Sequence, residues 1–218
     1  MADATTKDTI LDTAEKLYAD KGFTGTSLRA IMKEAEVNMA SVHYHFGSKE
    51  ALIEAVIRRR TGPVISARLE GLDRLEAASS EALPVEKIVE AFLRPVAELF
   101  VTDPDSAFLP RLIGRVFMEA GHELRDIIAT TFGEMDQRFG AALKRALPDI
   151  DESAVYWRMH FMIGALAFSI TVPHTHRTPD QLQFNVVSDP NEFLDELVQF
   201  VTHGMLAPRP EPVRGDAS

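Results

Sequence analysis

Between residues 26 and 49 stand Thr26, Ser27, Arg29, Asn38, Met39, Ala40, Ser41, His43, Tyr44 and Lys49, a set suited to gripping a polyanion rather than to making or breaking bonds. Thr26 and Ser27 place hydroxyls and free backbone amides at a helix start, where a phosphate is readily held. Arg29 lies within the same turn and reaches a phosphate or a guanine edge. Asn38 suits the cap of a following helix, whose early outward positions Met39, Ala40, Ser41 and His43 are those that meet base edges in a major groove. Small Ala40 and Ser41 permit close approach, while Val42 and Phe46 point inward.

Elsewhere the chain offers little chemistry. No glycine-rich phosphate loop, Gly-x-Ser-x-Gly elbow or His-Glu-x-x-His metal motif occurs. Cysteine is absent, which excludes disulfides, thiolate metal sites and cysteine nucleophiles. His174-Thr175-His176 is the one pairing that invites a metal, but it lies in a proline-bounded loop with no further ligands, and a solvated loop explains it better. We therefore expect no enzyme, catalytic residue, cofactor or resident metal. A helical module that binds only protein would have no reason to set Arg29, Tyr44 and Lys49 around two short helices.

Those helices follow from spacing and caps. Thr5 with Asp8 should open a first helix carrying Ile10, Leu11, Ala14, Leu17 and Tyr18 on one face, and Gly22 should stop it. Ser27 caps a second helix with Leu28, Ile31 and Ala35 inward. Val37 fills the turn before a third, from Asn38 to about His45, and Phe46-Gly47 ends that one. Ser48 caps a fourth from Lys49 to about Arg60, which Gly62-Pro63 then breaks or kinks. Further helices are predicted at 64–77, 85–101, 107–119, 122–147, 152–172 and 191–206, with Pro95 bending one of them. A long loop spans 173–190. Runs of alternating apolar and polar residues are missing, so the fold class is all-α. The predicted organisation is a nucleic-acid-binding unit at 1–55, a helical bundle at 56–207, and a disordered tail at 208–218.

The wording of the first segment is more specific than its spacing. Gly22-Phe23-Thr24-Gly25-Thr26-Ser27-Leu28-Arg29-Ala30-Ile31 and Ala35-Glu36-Val37-Asn38-Met39-Ala40-Ser41-Val42-His43-Tyr44-His45-Phe46-Gly47-Ser48-Lys49-Glu50-Ala51-Leu52 resemble the TetR family pattern, matched almost continuously over 8–55. The resemblance implies a homodimeric transcription regulator, by default a repressor, that binds a double-stranded DNA operator through a helix-turn-helix and answers to a small-molecule effector. It also implies that Tyr44 packs on the sugar-phosphate backbone and that Lys49 anchors a phosphate. Plain capping accounts for Ser27, Asn38 and Ser48 whether or not they also touch phosphate. For Tyr44 and His45 a packing role stands beside the DNA role. His43 departs from the tyrosine more frequent at its position, which bears on the operator sequence rather than on groove entry. Arg58-Arg59-Arg60 is read as the solvated basic end of the fourth helix.

In the second half, Trp157-Arg158-Met159-His160-Phe161-Met162-Ile163-Gly164-Ala165-Leu166-Ala167-Phe168-Ser169 is apolar on nearly all sides, with small residues that allow close helix contact. The TetR resemblance implies that 152–172 and 191–206 pair with their copies in a four-helix dimer interface. The same stretch, with Arg111-Leu112-Ile113-Gly114-Arg115-Val116-Phe117, resembles the PsrA-like branch, which implies a fatty-acyl ligand. Arg115 or His160 would then meet a carboxylate at the mouth of a tunnel lined by Phe117, Trp157 and Phe161; ordinary core packing is the alternative.

The net charge of −10 argues against nucleic acid only until it is divided. Residues 1–60 hold nine Lys or Arg against nine Asp or Glu, and the rest fourteen against twenty-four, so the acidity belongs to the body alone. Such a body repels DNA everywhere except at one end. The start of the chain lacks the basic and apolar stretches of a signal peptide, and Arg158 and His160 interrupt the longest apolar run at 154–172, so a cytoplasmic protein that does not cross a membrane is expected.

Overall fold

Buried Ile10, Leu11, Ala14 and Tyr18 recur at helical spacing and commit the first segment to α1, Ala2–Gly25. The expected start at Thr5 is corrected, because Thr5 already lies inside the helix and accepts a bond from the Thr9 hydroxyl through its carbonyl at 2.8 Å. Gly22, at φ 78°, interrupts the regular path as its lack of a side chain allows. Phe23 then packs on Tyr18 with ring centroids 5.1 Å apart.

This computed structural model describes residues 2–102, 122–171 and 190–208. Among them α1 is followed by α2 (Leu28–Glu34), α3 (Met39–Phe46), α4 (Lys49–Ala78), α5 (Val85–Thr102), α6 (His122–Ala146), α7 (Glu152–Thr171) and α8 (Pro190–Leu206), with no strand. The fold class is all-α, as the periodicity implied. The predicted helix at 107–119 and nearly all of the 173–190 loop and the 208–218 tail, including His174 and His176, lie outside the described residues. No described helix is long and apolar enough to cross a membrane.

The fourth helix departs from expectation. Instead of ending near Arg60, α4 runs unbroken through Gly62 and Pro63 to Ala78. Proline removes one backbone donor, but the helix is held on both sides of it by buried residues: Leu52, Ile53, Val56 and Ile57 before, Val64, Arg68 and Leu72 after. Tertiary burial at roughly 1.5–3 kcal/mol per large apolar side chain outweighs the local defect.

That continuity ties two cores together. In the first, α4 packs with Ile10, Ala14, Tyr18, Ile31 and Val42 from α1, α2 and α3, and Leu124 and Ile127 from the start of α6 join them. The second gathers Leu72 of α4, Ile88 and Phe92 of α5, Phe139 and Leu143 of α6, Met159 and Met162 of α7, and Leu194 and Val198 of α8. Phe132 of α6 touches both. At the far end, Arg158 of α7 donates to the carbonyls of Met205 and Ala207, the latter at 2.7 Å, and so satisfies groups that the last turn of α8 leaves open.

Arg58-Arg59-Arg60 is not a helix end. The three sit in mid-helix, where Arg58 pairs with Glu54 and both Arg59 and Arg60 hold the buried carboxylate of Glu15 on α1. Arg59 also reaches Asp12 at 2.7 Å. Replacing Glu15 by alanine leaves two partly covered cations without their shared partner and is expected to lower stability by about 2 kcal/mol, read as a smaller midpoint in urea unfolding.

Candidate nucleic-acid interface

Three caps set the first domain's helices. The Ser27 hydroxyl accepts the Ala30 amide at 3.2 Å, the Asn38 side-chain oxygen accepts the Ser41 amide at 2.9 Å, and the Ser48 hydroxyl accepts the Ala51 amide at 3.1 Å. The capping expected of all three residues is present. Glu36, between α2 and α3, adopts φ 54°, a left-handed conformation unusual for a side-chain-bearing residue, and no composition signal marked it.

Val42 is buried beneath α3 and half-buried Phe46 packs on the first core, so the other face turns outward. On that face Asn38, Met39, Ala40, His43 and Tyr44 are exposed, and Ser41 is half-buried. Tyr44 is 76% exposed, which leaves packing within the protomer no account of it. His45 is half-buried between Tyr44 and Phe46, with ring centroids 5.0 and 6.1 Å away. The Ser41 hydroxyl donates to Asn38 at 3.2 Å, which leaves its oxygen as an acceptor. Nδ1 of His43 lies 2.7 Å from the Gly47 carbonyl and must donate to it, so in the neutral ring Nε2 faces outward as an acceptor. An outward acceptor suits the amino group of adenine or cytosine.

Around α3, Ser27 and Arg29 are exposed at the start of α2, and Lys49 opens α4. Neither Arg29 nor Lys49 makes an ion pair among the described residues. A cation in the first turn opposes the helix dipole, so Lys49 gains no stability for α4 from that dipole. Beside it, hydrogen bonds from its own backbone amide and from Ser48 hold the Glu50 carboxyl below its ordinary value. Thr26 corrects the prediction: it is buried, and its hydroxyl donates to the carbonyls of Gly22 and Leu17 at 2.7 and 3.1 Å, clamping the end of α1 instead of facing a phosphate.

Of the predicted effector residues, Trp157, His160 and Phe161 are neighbours on α7, with the Trp157 ring 6.2 Å from that of His160. Arg115 and Phe117 lie outside the described residues. Trp157, His160 and Phe161 turn outward from α7, with Phe161 68% exposed and the indole ring of Trp157 stacked on it at 6.3 Å. Tyr156 and Phe168 of α7 and Phe200 of α8 are exposed as well.

The family described as "Bacterial regulatory proteins, tetR family" matches residues 10–56, and that described as "Tetracyclin repressor-like, C-terminal domain" matches 90–204, more than half of the chain. The chain belongs to the TetR family. Among curated relatives, a probable HTH-type transcriptional regulator, YttP of Bacillus subtilis (strain 168), is 29% identical over 57% of this TetR-family chain and 56% of its own length. The biofilm operon negative regulator IcaR of Staphylococcus aureus is 40% identical over 24% of this chain and 28% of its own. The chain thus matches about half or less of these relatives. Over nearly the full length, the fold is similar to NalD, the secondary repressor of the MexAB-OprM multidrug efflux pump in Pseudomonas aeruginosa (TM-score 0.65, 21% identity, 93% of this chain and 97% of that one). It is also similar to a TetR-family regulator from Bordetella parapertussis 12822 (TM-score 0.60, 18% identity, 94% and 97%).

Asn38→Ala removes the cap that sets the start of α3 and is expected to destabilise the protein by about 1 kcal/mol, measured by thermal unfolding. Asn38→Asp should keep most of that stability.

Proposed function

We propose that this chain is a cytoplasmic, ligand-responsive repressor that binds a near-palindromic operator as a homodimer and is released by a small apolar or fatty-acyl-like effector. The observation that carries the DNA reading is the outward row Met39, Ala40, Ser41, His43 and Tyr44 on a capped helix, flanked by Arg29 and Lys49. In this reading α3 enters the major groove, Ser27, Arg29, Tyr44 and Lys49 fix it on the backbone, and His43 and Ser41 read bases.

The exposed aromatic residues of α7 and α8 support the dimer. Side chains of this kind are costly to leave in water, and pairing with their own copies around a two-fold axis covers them. Two α3 helices then reach successive major grooves about 34 Å apart. An effector that prefers a form with a different spacing releases DNA by linkage, with a coupling of roughly 1–3 kcal/mol. The unbroken α4 is the connecting lever. The PsrA-like wording of 157–169, whose companion segment 111–117 lies outside the described residues, supports the fatty-acyl class of effector.

A gel shift with the DNA upstream of the chain's own reading frame tests the function: a sequence-selective, salt-sensitive band is expected, and its absence contradicts the proposal. Lys49→Ala should weaken binding to all sequences alike and reduce the salt slope by about one, whereas His43→Ala should change base preference at one position of each half-site. Unchanged affinity and salt slope for Lys49→Ala would sink the anchor assignment. For the dimer, Phe161→Glu is expected to yield a folded monomer by analytical ultracentrifugation, with operator affinity at least about tenfold lower.

A further inference from the structure

His43 and Gly47 are joined through both backbone and ring. The Gly47 amide donates to the His43 carbonyl at 3.0 Å and closes α3, while the left-handed φ of 76° at Gly47 turns its own carbonyl back to within 2.7 Å of Nδ1 of the imidazole. A carbonyl oxygen only accepts, so Nδ1 carries the hydrogen and the neutral ring is fixed as a single tautomer. Nε2 then presents a lone pair. The ring is exposed, and among the described residues no other hydrogen bond, ion pair or ring contact engages it.

The charged groups of the elements packed against α3 are engaged elsewhere or stand clear of that ring. Asp12 and Glu15 of α1 pair with the arginines of α4, Glu54 of α4 pairs with Arg58, and Glu50 is hydrogen-bonded by Ser48. Lys16, Asp20 and Lys21 of α1, Arg29, Lys33 and Glu34 of α2, Lys49 of α4, and Tyr44 and His45 of α3 itself make no ion pair or hydrogen bond with it. Protonation of His43 therefore has one local consequence: Nε2 changes from an acceptor to a donor, and the ring gains a charge. In the major groove the donors are the amino groups of adenine and cytosine, whereas guanine offers two acceptors side by side, N7 and O6.

We propose that His43 is a proton-controlled specificity determinant, whose base preference passes from adenine or cytosine to guanine when its ring takes up a proton. The proposal rests on the base reading put forward above for His43 and adds which bases it reads and what governs the choice. Binding and protonation are reciprocally linked: an operator with guanine at that position draws a proton in, and one with an amino-bearing base keeps it out. The switch is confined to one position of each half-site, because contacts to phosphate carry no sequence information. Ser41 is the internal control. Its hydroxyl donates to Asn38 at 3.2 Å, so its oxygen stays an acceptor whether or not His43 is charged.

Heteronuclear NMR of the imidazole nitrogens in the DNA-free full chain reads the tautomer directly. At about pH 8 His43 should hold its hydrogen on Nδ1, and a hydrogen on Nε2 overturns the proposal. Base preference is read by fluorescence anisotropy on a selected operator and its single-base variants, at about pH 8 and about pH 6. For the wild type, one position of each half-site should favour adenine or cytosine over guanine roughly tenfold at the higher pH, and that ratio should fall at least about threefold at the lower. The position read by Ser41 should keep its ratio, and any uniform loss of affinity from other histidines cancels. His43→Gln, whose amide does not titrate, should show no change of ratio with pH. A wild-type ratio constant with pH overturns the proposal, as does one that moves equally in His43→Gln. If His43→Ala alters the preference while pH does not, base reading stands and proton control fails; if His43→Ala alters it nowhere, the base reading itself fails.

Discussion

α4 crosses from one hydrophobic core into another without a break, and the position of the outward helix depends on that crossing. Leu52, Val56 and Ile57 fix its first half against α1 and α3, and Val64 and Leu72 fix its second half against α5. α4 is thus packed on both sides of Pro63, in one core before it and in the other after it. The clamp of Arg59 and Arg60 on Glu15 ties α4 to α1, and Leu124 and Ile127 brace the same core from α6.

The recognition surface is small by comparison, and its order comes from a few hydrogen bonds. Asn38 begins α3 and Gly47, at φ 76°, ends it. Buried Val42 sets which side faces out. With eight residues α3 would not hold as an isolated helix, so its shape is borrowed from the first core. The surplus negative charge of the remaining chain makes this end the least repelled by a polyanion.

Most of the first domain was legible because capping residues, helical spacing and glycine each act over a few residues. Ser27, Asn38 and Ser48 behave as read, whereas Gly22 kinks α1 and the helix resumes to Gly25. Thr26 and the arginine run misled because a hydroxyl or a guanidinium looks the same in sequence whether it faces solvent or a partner dozens of residues away; Glu15 and Arg60 are 45 positions apart. Proline at 63 was read through its local penalty, which burial on both sides overrides. The effector half was less legible, since apolar residues around the whole circumference of α7 give no preferred face, and Trp157, His160 and Phe161 turned outward.

Everything rests on α3 lying in the major groove of DNA. Methylation interference on a selected operator measures this directly, because guanine N7 faces the major groove and adenine N3 the minor groove. The account predicts that N7 methylation abolishes binding in two patches on one face of the duplex, about one helical turn apart and related by symmetry. Interference confined to adenine N3, or to a single patch without a symmetry mate, would contradict it.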